Sequence, residues 1–215
     1  TYMLQMIFST DWYYSTKEVL LSKKYFPKMN DIGSSRIQIV SSGPDSDFES
    51  IYYAYFMLIS KAKKSIYIET PYFIPDDGIL KALKSALLSG VDVKIIFPKI
   101  PDHKIVNTAS YSYFDDILRC GGKVFLYKDG FIHSKLIIVD EEVASTGSCN
   151  MDIRSFMVNF EINTFIYDKN VVNTFIYDFY NDLEKCEELK LEDFIKRSKV
   201  IRFKESISRL FSPIL

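Results

Sequence analysis

An α/β sandwich with a mixed, largely parallel sheet, flanked by helices, follows from three features of the sequence. From about Arg36 onward, β-branched runs alternate with amphipathic stretches of helical period. Glycines and prolines fall between those runs. A length of 215 residues with 47% apolar side chains also suffices for a sizeable core.

Thr1 to about Ser34 is aromatic and lacks strand alternation, so residues 1–35 are expected to form a helical connector from an earlier domain. The opening Thr1-Tyr2-Met3 has no charged-then-apolar signal pattern and suits a piece of a longer protein. The body, residues 36–195, starts with a short β-rich run at Ile37, Ile39 and Val40, ended by the turn Ser42-Gly43-Pro44-Asp45. Phe48 to Lys64 has helical period, with Asp47 as the expected N-cap. Ser65 to Glu69 is the next strand. Asp76 caps a helix to Leu88 whose apolar face is Ile79, Leu80, Leu83, Ala86 and Leu87, and Gly90 ends it.

Val91 to Phe97 is a β-branched strand, followed by a helix from about His103 to Cys120 and a strand from Lys123 to Tyr127. Strands are then expected near Lys135–Asp140, Val143–Thr146 and Glu161–Tyr167, and a long helix from about Asn170 to Leu189. Residues 196–215 change character: Asn181 to Ile195 carries six acids against two lysines, and Lys196 to Leu215 six bases against one acid. Val200, Phe203, Ile207, Leu210, Phe211 and Ile214 recur there at helical steps. Two readings fit this tail, a helix lying on anionic lipid or a terminal helix packed on its own domain.

Composition narrows the chemistry. Lysine plus arginine number 27 against 28 acids, so the basic excess of an indiscriminate nucleic-acid binder is missing. Cys120, Cys149 and Cys186 make neither a disulfide framework nor a CxxC metal site, and suit a reducing compartment. With two histidines, His103 and His133, a three-histidine zinc site is excluded. No run reaches the roughly 18 apolar residues of a membrane span.

The informative stretch is Phe131-Ile-His-Ser-Lys-Leu-Ile-Ile-Val-Asp140, continuing to Gly147-Ser-Cys-Asn150. On a strand His133 and Lys135 share one face, while Ser134, Leu136 and Ile138 take the other. An imidazole beside an ammonium suits an anion: the lysine neutralises oxygens while the imidazole attacks or protonates. Asp140 has the opposite parity and is expected to support the fold, although it closes the same motif. A turn at Gly147 to Asn150 can return the Ser148 hydroxyl and Asn150 amide beside His133. Glu161, with Asn159 nearby, is the candidate carboxylate to fix the second ring nitrogen. His103 follows a strand end, where sites often gather in α/β folds, and is either part of such a site or a helix-terminal residue beside Asp102. The Tyr72–Pro75 loop either lines a channel or covers a sheet edge.

His133-x-Lys135-x4-Asp140 followed by Gly147-Ser148-x-Asn150 resembles the HKD motif of the phospholipase D superfamily. The resemblance extends over most of the chain. Asp11-Trp12, Ser42 to Asp45, Glu69 to Asp76, Pro101 to His103, Asn150 to Phe156 and Asn159 to Glu161 are similar to the C-terminal half of bacterial cardiolipin synthases. It implies a phospholipase D-like fold and a phosphatidyl transfer that makes cardiolipin from two phosphatidylglycerol molecules through a phosphohistidine, with release of glycerol. It implies His133, Lys135, Asp140 and Glu161 as the catalytic set, and Ser148, Asn150 and His103 as substrate contacts. No metal or cofactor is implied. The setting implied is a bacterial cell membrane, with phosphatidylglycerol and anionic lipid as partners.

Family enzymes pair two such motifs and this chain has one, since Ile105 stands where His103 would need a lysine. The partner is therefore either an N-terminal half of the same protein or a second copy of this chain. Related chemistries remain open at this level: a phosphatidylserine synthase, a phospholipase, a single-motif nuclease, or a noncatalytic half that completes another subunit.

Overall fold

Alternation with a period of two decides which helices each strand meets. In β2 (Ser65–Glu69), Ile66 and Ile68 enter one apolar layer and Tyr67 the other. In β6 (Leu136–Val139), Ile137 and Val139 join the side of Ile66, while Leu136 and Ile138 join that of Tyr67. This computed structural model describes residues 2–28 and 33–214. Small parts of the expected connector (Thr1 and residues 29–32) and the last residue of the tail, Leu215, lie outside the described residues.

The chain enters through α1 (Tyr2–Thr16), a 3-10 turn at Lys23–Tyr25, and β1 (Ile37–Ser42). Then come α2 (Ser50–Lys61), β2, the short β3 (Phe73–Ile74), α3 (Asp77–Leu88), β4 (Asp92–Pro98), α4 (Lys104–Arg119) and β5 (Lys123–Tyr127). After β6 follow β7 (Val143–Gly147), β8 (Met151–Asp152), α5 (Ile153–Met157), β9 (Glu161–Ile166) and α6 (Lys169–Glu184). The end is β10 (Cys186–Glu188), α7 (Leu191–Ile195), α8 (Lys199–Leu210) and a 3-10 turn at Ser212–Ile214.

Among the described residues, eight strands form one mixed sheet in the order β1-β9-β7-β6-β2-β4-β5-β10. Parallel neighbours are confined to β2–β4–β5, where α3 and α4 make the crossovers that parallel pairing requires. Every other neighbour in the sheet is antiparallel, as the short turn from β6 to β7 allows. Helices α2, α3 and α4 cover one face. On the other face α6 lays Val172 and Phe179 over Tyr67 and Ile138, with the Phe179 and Tyr67 rings stacked at 5.0 Å. Removing a fully buried ring such as Phe179 would cost about 3–5 kcal/mol.

The α3 expectations hold in detail. The Asp76 carboxylate accepts the N–H groups of Gly78 (2.9 Å) and Ile79 (3.1 Å), a cap worth about 1 kcal/mol. Gly90, at φ +90°, supplies the left-handed turn beyond the helix. Elsewhere boundaries shift. Helix α2 begins at Ser50 with Glu49, not Asp47, at its N-cap position, because the turn after Gly43 continues through Phe48. The long helix expected to reach Leu189 stops at Glu184. Residues Cys186–Glu188 instead pair with β5 (Cys186 opposite Tyr127), satisfying an edge that would otherwise be open.

Candidate active site

β6 runs antiparallel to β2, with Leu136 opposite Glu69. Its beginning therefore lies at the carboxyl end of the parallel strands, the end where sites collect in such folds. β7 finishes there with Gly147, β9 starts there with Glu161, and α4 starts beyond the end of β4 at His103. His133, Lys135, Ser148, Asn150, Glu161 and His103 thus gather at one edge. The strand itself opens at Leu136, one residue later than expected. His133 and Lys135 sit on the extended segment before it, and Ser134 and Leu136 take the opposite side beneath α6.

The imidazole of His133 is exposed and makes no hydrogen bond among the described residues. The Lys135 Nζ donates to the His133 carbonyl at 2.9 Å, which fixes the ammonium beside the ring's own backbone. Burial pulls the Lys135 pKa below the usual lysine value, opposed by the carboxylates of Glu161, Asp152 and Asp102. A half-buried cation exerts a stronger field on an incoming anion than one in open water.

Behind the lysine, the turn after β7 is held from two sides. A Cβ at Gly147 would lie 2.1 Å from the Ile162 carbonyl oxygen, so only glycine lets the two strands approach this closely. Ser148 donates from its backbone N–H to the Ile162 carbonyl and accepts the Ile162 N–H on its hydroxyl, both at 2.9 Å. Its hydroxyl also donates to the Glu161 carboxylate. Asn159 Nδ2 donates to the other Glu161 oxygen at 3.1 Å. Glu161 is thus committed to Ser148 and Asn159, and no hydrogen bond joins it to the His133 ring.

Asn150 donates to Ser155 Oγ at 3.3 Å, while its buried Oδ1 has no partner. Asp152 accepts the Ser155 N–H at 2.6 Å, and burial raises its pKa against those bonds. Burial also pushes the Cys149 thiol well up, which removes it as a nucleophile.

At the α4 side, the Asp102 carboxylate accepts the His103 N–H at 2.7 Å and the Tyr72 hydroxyl at 2.5 Å. The His103 and Tyr72 rings stand 6.4 Å apart. The aromatic loop is therefore clasped to the start of α4, and β3 pairs in parallel with β8 (Phe73 opposite Met151) directly after Asn150.

Asp140 lies elsewhere. It sits at the far end of β6, where its carboxylate accepts the N–H groups of Lys63 (2.9 Å), Lys64 (2.7 Å) and Ser65 (3.1 Å). Burial pushes its pKa up, but those N–H groups outweigh it and hold the carboxyl below the usual range. Through these bonds Asp140 anchors β6 to the entry of β2.

Residues 55–183, more than half of the chain, match the family model described as "Cardiolipin synthase, PLD-like domain". The chain belongs to this family. A protein of Listeria welshimeri named "Cardiolipin synthase" is 46% identical over 216 residues, covering 100% of this chain and 45% of its own length. The chain therefore spans about half the length of such curated relatives. Among solved structures, Nuc, a phospholipase D family member from Salmonella typhimurium, aligns with a TM-score of 0.61 at 24% identity, over 73% of this chain and 99% of its own. A phosphatidylserine synthase from Haemophilus influenzae aligns at 0.65 and 18% identity, over 83% of this chain and 47% of its own. Both likenesses establish the fold.

Two features of this family member escaped the sequence reading. Asn163 is buried and holds the turn: its Oδ1 accepts the Cys149 N–H at 3.2 Å, and its Nδ2 reaches Tyr55 and Ser145. The signal was Glu161-x-Asn163, two polar groups on one side of an otherwise apolar strand. Glu69, at the end of β2, is buried with Oε1 unpartnered, and burial lifts its pKa to about 7. It borders a cavity of about 410 Å³ with Ser134, Asp178 and Asp182, behind the His133 segment.

Proposed function

We propose that this chain is the C-terminal catalytic half of a membrane-associated phosphatidyltransferase that makes cardiolipin from two phosphatidylglycerol molecules. The observation that carries the reading is the exposed, unbonded His133 imidazole beside the half-buried Lys135, on the edge that also presents Ser148 and Asn150. The naming of relatives as cardiolipin synthases supports the substrate class.

Two histidines divide the labour. One attacks phosphorus, the P–O bond to the terminal glycerol breaks, and the other histidine protonates the departing oxygen, releasing glycerol. That second histidine then takes the proton from a hydroxyl of the next phosphatidylglycerol. The freed oxygen attacks phosphorus, the P–N bond breaks and the imidazole is regenerated. Lys135 and Asn150 hold the phosphate oxygens, and Ser148 keeps the turn in register through its two bonds to Ile162. Glu161 turns from its present partners to orient the His133 ring once substrate is seated. His103, clasped through Asp102 and Tyr72, meets the headgroup. The second histidine comes from an N-terminal half of the same protein or from another copy of this chain.

The test is cardiolipin formation by the whole enzyme carrying His133→Ala, with transfer to phosphatidylglycerol, serine, water and DNA assayed side by side. Wild-type transfer should favour phosphatidylglycerol, and the variant should lose it. An unchanged rate sinks the reading. Acid-labile phosphoryl label trapped on this half makes His133 the nucleophile, and label on the other half makes it the acid.

A further inference from the structure

Helix α8 is laid on the domain by its polar side. Glu205, only 5% exposed, pairs with Arg197, and Arg209 reaches Asp116 at 2.9 Å and the Ser112 carbonyl at 3.3 Å on α4. The Arg209 guanidinium also covers the Tyr113 ring at 4.1 Å, and the Tyr113 hydroxyl donates to Ser212 at 2.9 Å. At 3.6 residues per turn, Leu210, Phe203, Ile207, Val200 and Phe211 fall on one arc of about 100°, opposite Glu205 and Arg209. That arc faces outward: Leu210 is 78% and Phe203 65% exposed. An ordinary amphipathic helix buries this side, so the orientation is inverted. Of the two readings of the tail, packing on the domain is true of the polar face alone.

We propose that this outward ridge docks on an anionic lipid bilayer. Lys199 and Lys204 flank the arc on either side, both exposed and, among the described residues, without an ion-pair partner. An apolar strip fringed by lysines matches acyl chains beneath anionic headgroups. Self-association about a two-fold axis would set those like charges against one another. The ridge also leads to the catalytic edge, because the Ser212–Ile214 turn packs on α5, directly after Asn150 and β8. A bilayer on the ridge then lies beside the site. Only the presence of lipid substrate in that bilayer rests on the phosphatidyl-transfer reading.

The experiment is co-sedimentation of the purified chain with phosphatidylglycerol–phosphatidylcholine vesicles and with phosphatidylcholine vesicles. The wild-type chain should bind the anionic vesicles preferentially. Combined Phe203→Ser, Ile207→Ser and Leu210→Ser, all at exposed positions, should lower partitioning at least about tenfold. Lys199→Glu with Lys204→Glu should remove the preference for anionic vesicles and leave the circular dichroism unchanged. Equal binding by wild type and both variants overturns the proposal. So does a wild-type dimer that the serine variant converts to monomer without any change in vesicle binding, since a second copy then covers the ridge. His133→Ala should bind vesicles like wild type. Loss of transfer therefore tests the chemistry and loss of binding tests the ridge, and either can fail alone.

Discussion

The two ends of β6 carry opposite designs from one short motif. At one end the Asp140 carboxylate is saturated by the N–H groups of Lys63, Lys64 and Ser65. At the other the His133 imidazole stands exposed with no hydrogen bond, beside a lysine whose pKa burial lowers. A saturated group contributes to stability and has no capacity left for a ligand. An unsatisfied one adds little to stability and is available for chemistry. The spacing that joins them is thus a strand length, setting a reactive edge at a fixed distance from its anchor.

The sharpest way to break the comparison is to exchange the effects. His133→Ala should lower transfer by about 10⁴-fold or more while changing the melting temperature little, as expected for loss of a nucleophile or general acid. Asp140→Ala should do the reverse. It strips a charged acceptor from three N–H groups and should cost about 1.5–3 kcal/mol, read by urea denaturation, with activity per folded molecule retained. Because the folded Asp140 pKa is depressed, its contribution is present above the unfolded value of about 3.9 and is lost as pH falls through the folded one. Acid titration of stability in Asp140→Asn should lack that component. Equal loss of activity in the His133 and Asp140 variants, at equal folded fraction, would erase the distinction.

A smaller effect tests the reactive edge. Burial lifts Glu69 from 4.5 to about 7, so the folded state holds a proton that the unfolded state releases. Stability should then fall as pH rises from about 4.5 to 7, by about 2 kcal/mol between pH 5 and 8. Glu69→Gln should flatten that slope in thermal melts. The smallest expected change is in the tail. Lys199→Glu with Lys204→Glu should move stability by less than about 0.5 kcal/mol, since both side chains are exposed and unpaired among the described residues.

Much of the fold was legible because its signals are local. Short β-rich runs between turn residues named β2, β4, β5 and β9, and the Asp76 cap and Gly90 bounded α3 from sequence alone. The misses depend on distant partners. Cys186–Glu188 has no reason to leave a helix until the edge of β5 is there to pair with. The strands β3 and β8 are two residues each and exist only through one another. At the site, residue types and spacing placed His133, Lys135, Ser148, Asn150 and Glu161 on one edge. The present bonds of Glu161, to Ser148 and Asn159, were not legible, since they depend on side-chain geometry within a turn. Parity did separate Asp140 from His133. What it anchors was hidden, because its partners lie 75 to 77 residues earlier.

That separation has a consequence for how the molecule folds. Joining Asp140 to Lys64 closes a loop of 76 residues that contains α3, β4, α4 and β5. Loop closure is cheaper once the intervening chain has condensed, so β6 should dock on β2 after the parallel unit has formed. The clasp then belongs to the late side of the folding barrier. Asp140→Ala should speed unfolding more than it slows folding, a low φ-value on a chevron plot. The reactive edge, which needs β6 against β2, would be the last part of the molecule to come together and the first to come apart.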